Sequence, residues 1–130
     1  MRKLLFILLI ILGFLSCKRS IHQQTPPEYD TNLVHTLRKL EQRYADKKVR
    51  INTWDKKADA YQDIPVLDDD QQITGTLTIG DSVKFIAIDL GQPDGIRAAI
   101  KLPDNKTGYI QYWKIEEFEP AARIDPDLKN

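Results

Sequence analysis

Apolar and polar positions fall into three regimes along the chain. Leu4 to Leu12 is an unbroken apolar run, preceded by Arg2 and Lys3 and followed by Gly13, Phe14, Leu15, Ser16 and Cys17; Lys18-Arg19-Ser20 then turns the chain polar at once. Further on, Leu33, Leu37, Leu40 and Tyr44 recur at steps of four, three and four, which lines one face of a helix. From Val49 onward, short runs rich in Val, Ile, Thr and aromatic residues alternate with turn residues, the pattern of strands.

The leucine stripe predicts an amphipathic helix over 31–48. Asp30 or Thr31 supplies a side-chain oxygen for the free N–H groups of the first turn, and Lys47 and Lys48 complement the dipole at the far end. The stripe is narrow, and three partners are open to it: the neighbouring β domain, a second copy, or a different protein. Strands are predicted over Val49–Trp54, Ile64–Leu67, Ile73–Leu77, Val83–Asp89, Ile96–Leu102 and Gly108–Gln111. The turns between them hold Gly80-Asp81, Gly91 to Gly95 and Pro103 to Lys106, residues that bond their own backbone or tolerate positive φ. With no helix between the strands, the expected fold is mainly β: a small antiparallel barrel or pair of packed sheets over 49–118. Segment 17–30, with Gln23-Gln24-Thr25-Pro26-Pro27 and no periodicity, reads as a tether. Segment 119–130, with two prolines and few large apolar residues, reads as a loose tail.

The first regime is too short to span a bilayer, which takes roughly 20 apolar residues. A basic head, an apolar core and a small residue at the cut site instead describe a secretory leader over 1–16. Phe14-Leu15-Ser16-Cys17 resembles the lipobox of bacterial lipoproteins, with Phe14 where that family most often has leucine. The resemblance implies cleavage before Cys17, lipidation of its sulfur and a membrane-anchored mature chain in the bacterial envelope. Lys18 follows the cysteine where enteric bacteria use aspartate for inner-membrane retention, so the reading leans to the outer membrane. Cys17 is the one cysteine in the sequence, so no disulfide supports the fold.

Residues 64–118 resemble the bacterial Src-homology-3-like domain. The likeness lies in Ile73-Thr74-Gly75-Thr76-Leu77-Thr78-Ile79-Gly80-Asp81-Ser82-Val83, and in Ala99-Ile100-Lys101-Leu102 followed by Thr107-Gly108-Tyr109-Ile110 and a short turn with Tyr112, Trp113 and Ile115. It implies a small barrel that binds cell-wall polymers or docks other proteins. The family's Asn-Val-Arg-type first strand is replaced by Ile64-Pro65-Val66-Leu67, and Gly95-Ile96 stands where a tryptophan is common, so the family's ligand residues are not carried over.

Acidic and basic residues balance at 19 each, and loss of Arg2 and Lys3 with the leader tips the mature chain slightly negative. Nucleic acid is therefore not an expected partner. Asp68-Asp69-Asp70 lacks the spacing and glycine of a calcium loop and reads as a solvated turn. The two histidines, His22 and His35, lie in the tether and on the helix; no metal or other cofactor is expected. No nucleophile–base pair stands out, so the expectation is a binding protein rather than an enzyme. Its ligand, a protein or a peptidoglycan-type polymer, is expected on an aromatic groove of Tyr61, Tyr112 and Trp113, where Asp59, Asp63 and Asp68 to Asp70 favour a cationic or amide-rich group. The alternative is a structural subunit whose helix docks a larger envelope complex. Exposed aromatics favour the first reading and an uncovered leucine stripe the second.

Overall fold

The structure, a computed structural model, describes residues 27–128. The leader, Cys17 and His22 lie outside the described residues.

Helix α1 (Thr31–Tyr44) begins at Asp30, whose Oδ1 accepts hydrogen bonds from the N–H groups of Asn32 (3.0 Å) and Leu33 (3.2 Å). Leu33, Leu37 and Leu40 are all buried in the domain core, each contributing on the order of 1.5–3 kcal/mol. The leucine stripe is thus covered by the chain's own sheet and C-terminal segment. Glu41 pins the helix further: its carboxylate takes the N–H of Ile88 at 2.6 Å and pairs with Arg38 at 2.9 Å. The helix stops at Tyr44, short of the expected Lys48. Asp46 turns the chain at φ 61° and donates its N–H to the carbonyl of Phe85, while Lys47 accepts from the N–H of Phe85. Sheet pairing has recruited the two lysines.

Eight strands follow: β1 (Lys48–Arg50), β2 (Trp54–Asp55), β3 (Ala60–Tyr61), β4 (Ile64–Leu67), β5 (Ile73–Leu77), β6 (Ser82–Asp89), β7 (Arg97–Lys101) and β8 (Thr107–Gln111). Six form one antiparallel sheet in the order β1-β6-β7-β8-β4-β5, and β2 and β3 make a separate hairpin. The expected barrel is corrected here: β1 and β5 stand at opposite edges of the sheet and do not pair, so it is open. Helices complete the enclosure that strand closure would have provided. Phe118, fully buried, packs its ring 4.9 Å from that of Phe85 and 6.3 Å from that of Tyr44.

The segment read as one strand over Val49–Trp54 is also divided. After β1, the side chain of Asn52 accepts from the N–H of Trp54 (3.0 Å), and Thr53 accepts from the N–H of Gln62 (2.8 Å). These bonds start the β2–β3 hairpin instead of prolonging β1. Gly108 allows β8 to approach β4: a Cβ there would run into Cγ1 of Val66, and the next pair along is Leu67 with Tyr109.

The loose tail is corrected as well. Helix α2 (Glu119–Ile124) and a 3₁₀ turn (Pro126–Leu128) fold back on the domain. Ala121 is fully buried, and Asp125, only 4% exposed, accepts a hydrogen bond from the Tyr112 hydroxyl at 2.6 Å. A small alanine and a buried polar pair attach this segment, which is why an absence of large apolar residues misled. The end of the expected tether joins the domain too, since Tyr29 packs against the core.

Candidate functional site

Strand β4, the start of β7, the end of β8 and the β2–β3 hairpin surround a cleft of about 390 Å³. Tyr109 and Trp113 give it aromatic walls; Asp55, Asp63 and Asp94 line its rim with carboxylates; Arg97 and Lys114 are its cations. Arg97 is already engaged. Its Nε and a terminal nitrogen donate to Oδ2 of Asp89 at 3.1 and 2.7 Å, and its guanidinium carbon lies 3.9 Å from the centre of the Tyr109 ring. Burial of Asp89 opposes its charge, but hydrogen bonds from Arg97 and the Gly91 N–H, with the Arg97 charge, outweigh this and hold its carboxyl below the usual range. The Asp69 carboxylate, followed by burial, pushes the Tyr109 phenol up. With Arg97 neutralised, the cleft has three carboxylates facing Lys114, which has no ion-pair partner among the described residues. It suits a ligand that brings positive charge or amide donors to an aromatic floor.

The three aromatics expected in the groove part company. Trp113 lines the cleft. Tyr61 sits beside it on β3, 62% exposed, with its ring 5.1 Å from that of its cross-strand partner Trp54 in an edge-on arrangement. Tyr112 is 0% exposed. It is therefore corrected to a core residue: burial first, then its hydrogen bond to Asp125, push its phenol far above the ordinary value. Tyr112 supports the site indirectly, presenting its ring edge-on to Trp113 at 5.5 Å. Tyr109 takes the place that Tyr112 was expected to fill. Its signal was the glycine before it, since the close β4–β8 approach sets Tyr109 opposite Leu67 at the cleft wall.

Asp68 is used inside its own turn, where Oδ1 accepts from the N–H groups of Asp70 and Gln72, both at 2.9 Å. His35 is exposed on α1. Among the described residues no helix is long and apolar enough to cross a membrane. Compared with protein families, curated proteins and solved structures, the chain matches none.

Proposed function

We propose that this is an envelope lipoprotein, anchored through Cys17, whose β domain binds a protein or cell-wall ligand in the Tyr109–Trp113 cleft. The carrying observation is the cleft itself: an aromatic floor, an acidic rim of Asp55, Asp63 and Asp94, and an arginine already neutralised. The exposed Trp54–Tyr61 pair on the adjoining hairpin extends the apolar surface beyond the rim. The helix-docking alternative is less favoured, because the leucine face it needs is filled. We read the domain as an open relative of the bacterial Src-homology-3-like domain. Short antiparallel strands, the Gly80 turn at φ 85° and the 3₁₀ turn Tyr112–Lys114 directly after the last strand support that reading.

Trp54 and Trp113 are the two tryptophans in the sequence, so a Trp54→Phe background makes Trp113 the sole fluorescent reporter of the cleft. Titration with soluble muropeptides should give a saturable change in that signal. Asp63→Asn should weaken it by about tenfold, the scale of one charge-assisted hydrogen bond, with the melting temperature unchanged. A flat titration with muropeptides, together with no envelope protein retained by the chain, removes the cleft from consideration.

A further inference from the structure

Away from the cleft, three lysines stand in one row across three strands. Lys48 on β1 is the register partner of Lys84 on β6, which is in turn the partner of Lys101 on β7. Their strand neighbours Val49, Val83, Phe85 and Ile100 point into the core, so all three ammonium groups rise from the opposite face. Adjacent strands lie about 4.8 Å apart, and like charges directly opposite each other destabilise a sheet. Little offsets the repulsion. Asp46 reaches Nζ of Lys84 only at 3.9 Å and is 81% exposed, and neither Lys48 nor Lys101 has a carboxylate within ion-pair range among the described residues. Four of the arginines differ: Arg38, Arg50, Arg97 and Arg123 each have a glutamate or aspartate partner. The row floors an open groove of about 510 Å³, where Ser82 and Asn105 add hydrogen-bonding side chains and Asp46 a carboxylate.

We propose that Lys48, Lys84 and Lys101 form a contact for lipid phosphates that lays the domain against an anionic bilayer. The inference rests on the membrane attachment proposed above, and two observations choose the occupant. A row of three cations with a single long carboxylate contact among the described residues, on an open surface, complements a sheet of phosphates rather than a single buried anion. Chain length also permits it. The row lies at the far end of α1, whose 14 residues measure about 21 Å at ~1.5 Å each. Segment 18–30 has a contour limit of about 40 Å at ~3.3 Å per residue, which exceeds that distance. A lipid chain and a basic patch together are the kind of paired signal that holds a protein stably at a membrane.

The test reconstitutes the full chain into vesicles of phosphatidylcholine, or of an equimolar mixture with phosphatidylglycerol. Flotation reads attachment, and amine acetylation followed by mass spectrometry reads each lysine. Lys48, Lys84 and Lys101 should label at least fivefold more slowly on the anionic vesicles, about fivefold being the contribution of one lysine at such a surface. Lys39, on the exposed side of α1, should label equally on both. Protection should vanish in about 1 M salt, where the Debye length is about 3 Å, and Lys84→Gln should lower it for the other two. Equal labelling on both vesicles, with the chain floating, overturns the proposal. So does protection that appears only on adding polyphosphate or an acidic peptide, which would assign the row to an acidic polymer. A chain that does not float removes the anchor reading. The row is then tested by adding the chain to preformed anionic vesicles, and a lack of salt-sensitive cosedimentation overturns it.

Discussion

Strand β7 carries a cation at each end, Arg97 and Lys101, and the fold treats them in opposite ways. At the Arg97 end the charge is consumed by Asp89 and by the face of Tyr109, leaving an aromatic cleft whose remaining charge is mostly negative. At the Lys101 end the charge is stacked beside two more of its own sign. A chain whose acidic and basic residues balance can thus present two surfaces of opposite character about 13 Å apart, four residues at ~3.3 Å each. The pairing at one end makes structural sense unaided. The row at the other end costs stability, and that cost points to a partner.

The largest expected effect tests the support of the cleft end. Tyr112→Phe keeps the ring that meets Trp113 but removes the hydroxyl that donates to Asp125. Among the described residues, a buried carboxylate is then left with the N–H of Asp127 at 2.9 Å as its remaining bond. The loss should be about 2 kcal/mol, measured by urea denaturation, with muropeptide titration of the cleft unaffected. Weakened titration at unchanged stability would return Tyr112 to the binding surface. The alkaline limb supplies a second reading. Tyr112 in the fold ionises well above the ordinary phenol value, whereas the unfolded chain ionises near about 10. Its stabilisation is therefore full below about pH 10 and declines as pH rises beyond it, so the alkaline loss of stability should be shallower in Tyr112→Phe, where the raised phenol of Tyr109 still contributes.

Next in size, Arg97→Gln breaks the neutralisation that defines the cleft end. Both N–H contacts to Asp89 and the stacking on Tyr109 go, at about 1 kcal/mol for a partly exposed pair. For a domain of this size that is a fall of about 4–8 °C in melting temperature. Asp89 has a folded value below that of the unfolded chain, about 3.9. Its contribution is present above about pH 4 and lost as pH falls through the folded value, so the variant should show a flatter acid limb. An acid limb identical to the wild type would mean that Asp89 is held by Gly91 and Gln92 without Arg97.

How much of this could be read from the chain follows from the range of each interaction. The leucine stripe, a cap at Asp30 or Thr31 and the strands β6 and β7 are local patterns, and each appears within a residue or so of its expected place. Asn52 and Thr53 broke the first strand through side-chain and hairpin bonds that no alternation pattern carries. Tyr112 and Trp113 are consecutive, and which of them turns into the core depended on Asp125, in a segment whose small residues gave no apolar signal. The lysine row was illegible for a further reason. Lys48, Lys84 and Lys101 become neighbours only through the register of three strands that are far apart in sequence.

The smallest effect has the most telling sign. Lys84 stands between two like charges, and its one carboxylate contact among the described residues, at 3.9 Å to an exposed Asp46, is of the kind that contributes little. Lys84→Thr removes the central charge and places a β-branched residue, which suits a pleated surface, in the longest strand. Most substitutions destabilise. This one should instead raise stability by about 0.5 kcal/mol at low ionic strength, relief of a directly opposed like-charge pair being worth roughly 0.2–1 kcal/mol. The gain should shrink in about 1 M salt, where charges a strand apart are screened. The same variant should lose protection on anionic vesicles, so stability and membrane contact move in opposite directions. Thermal melts at two salt concentrations decide it. A salt-independent loss of stability would show that the Lys84 stem is held by packing, and the argument that the row is kept at a structural cost would fall with it.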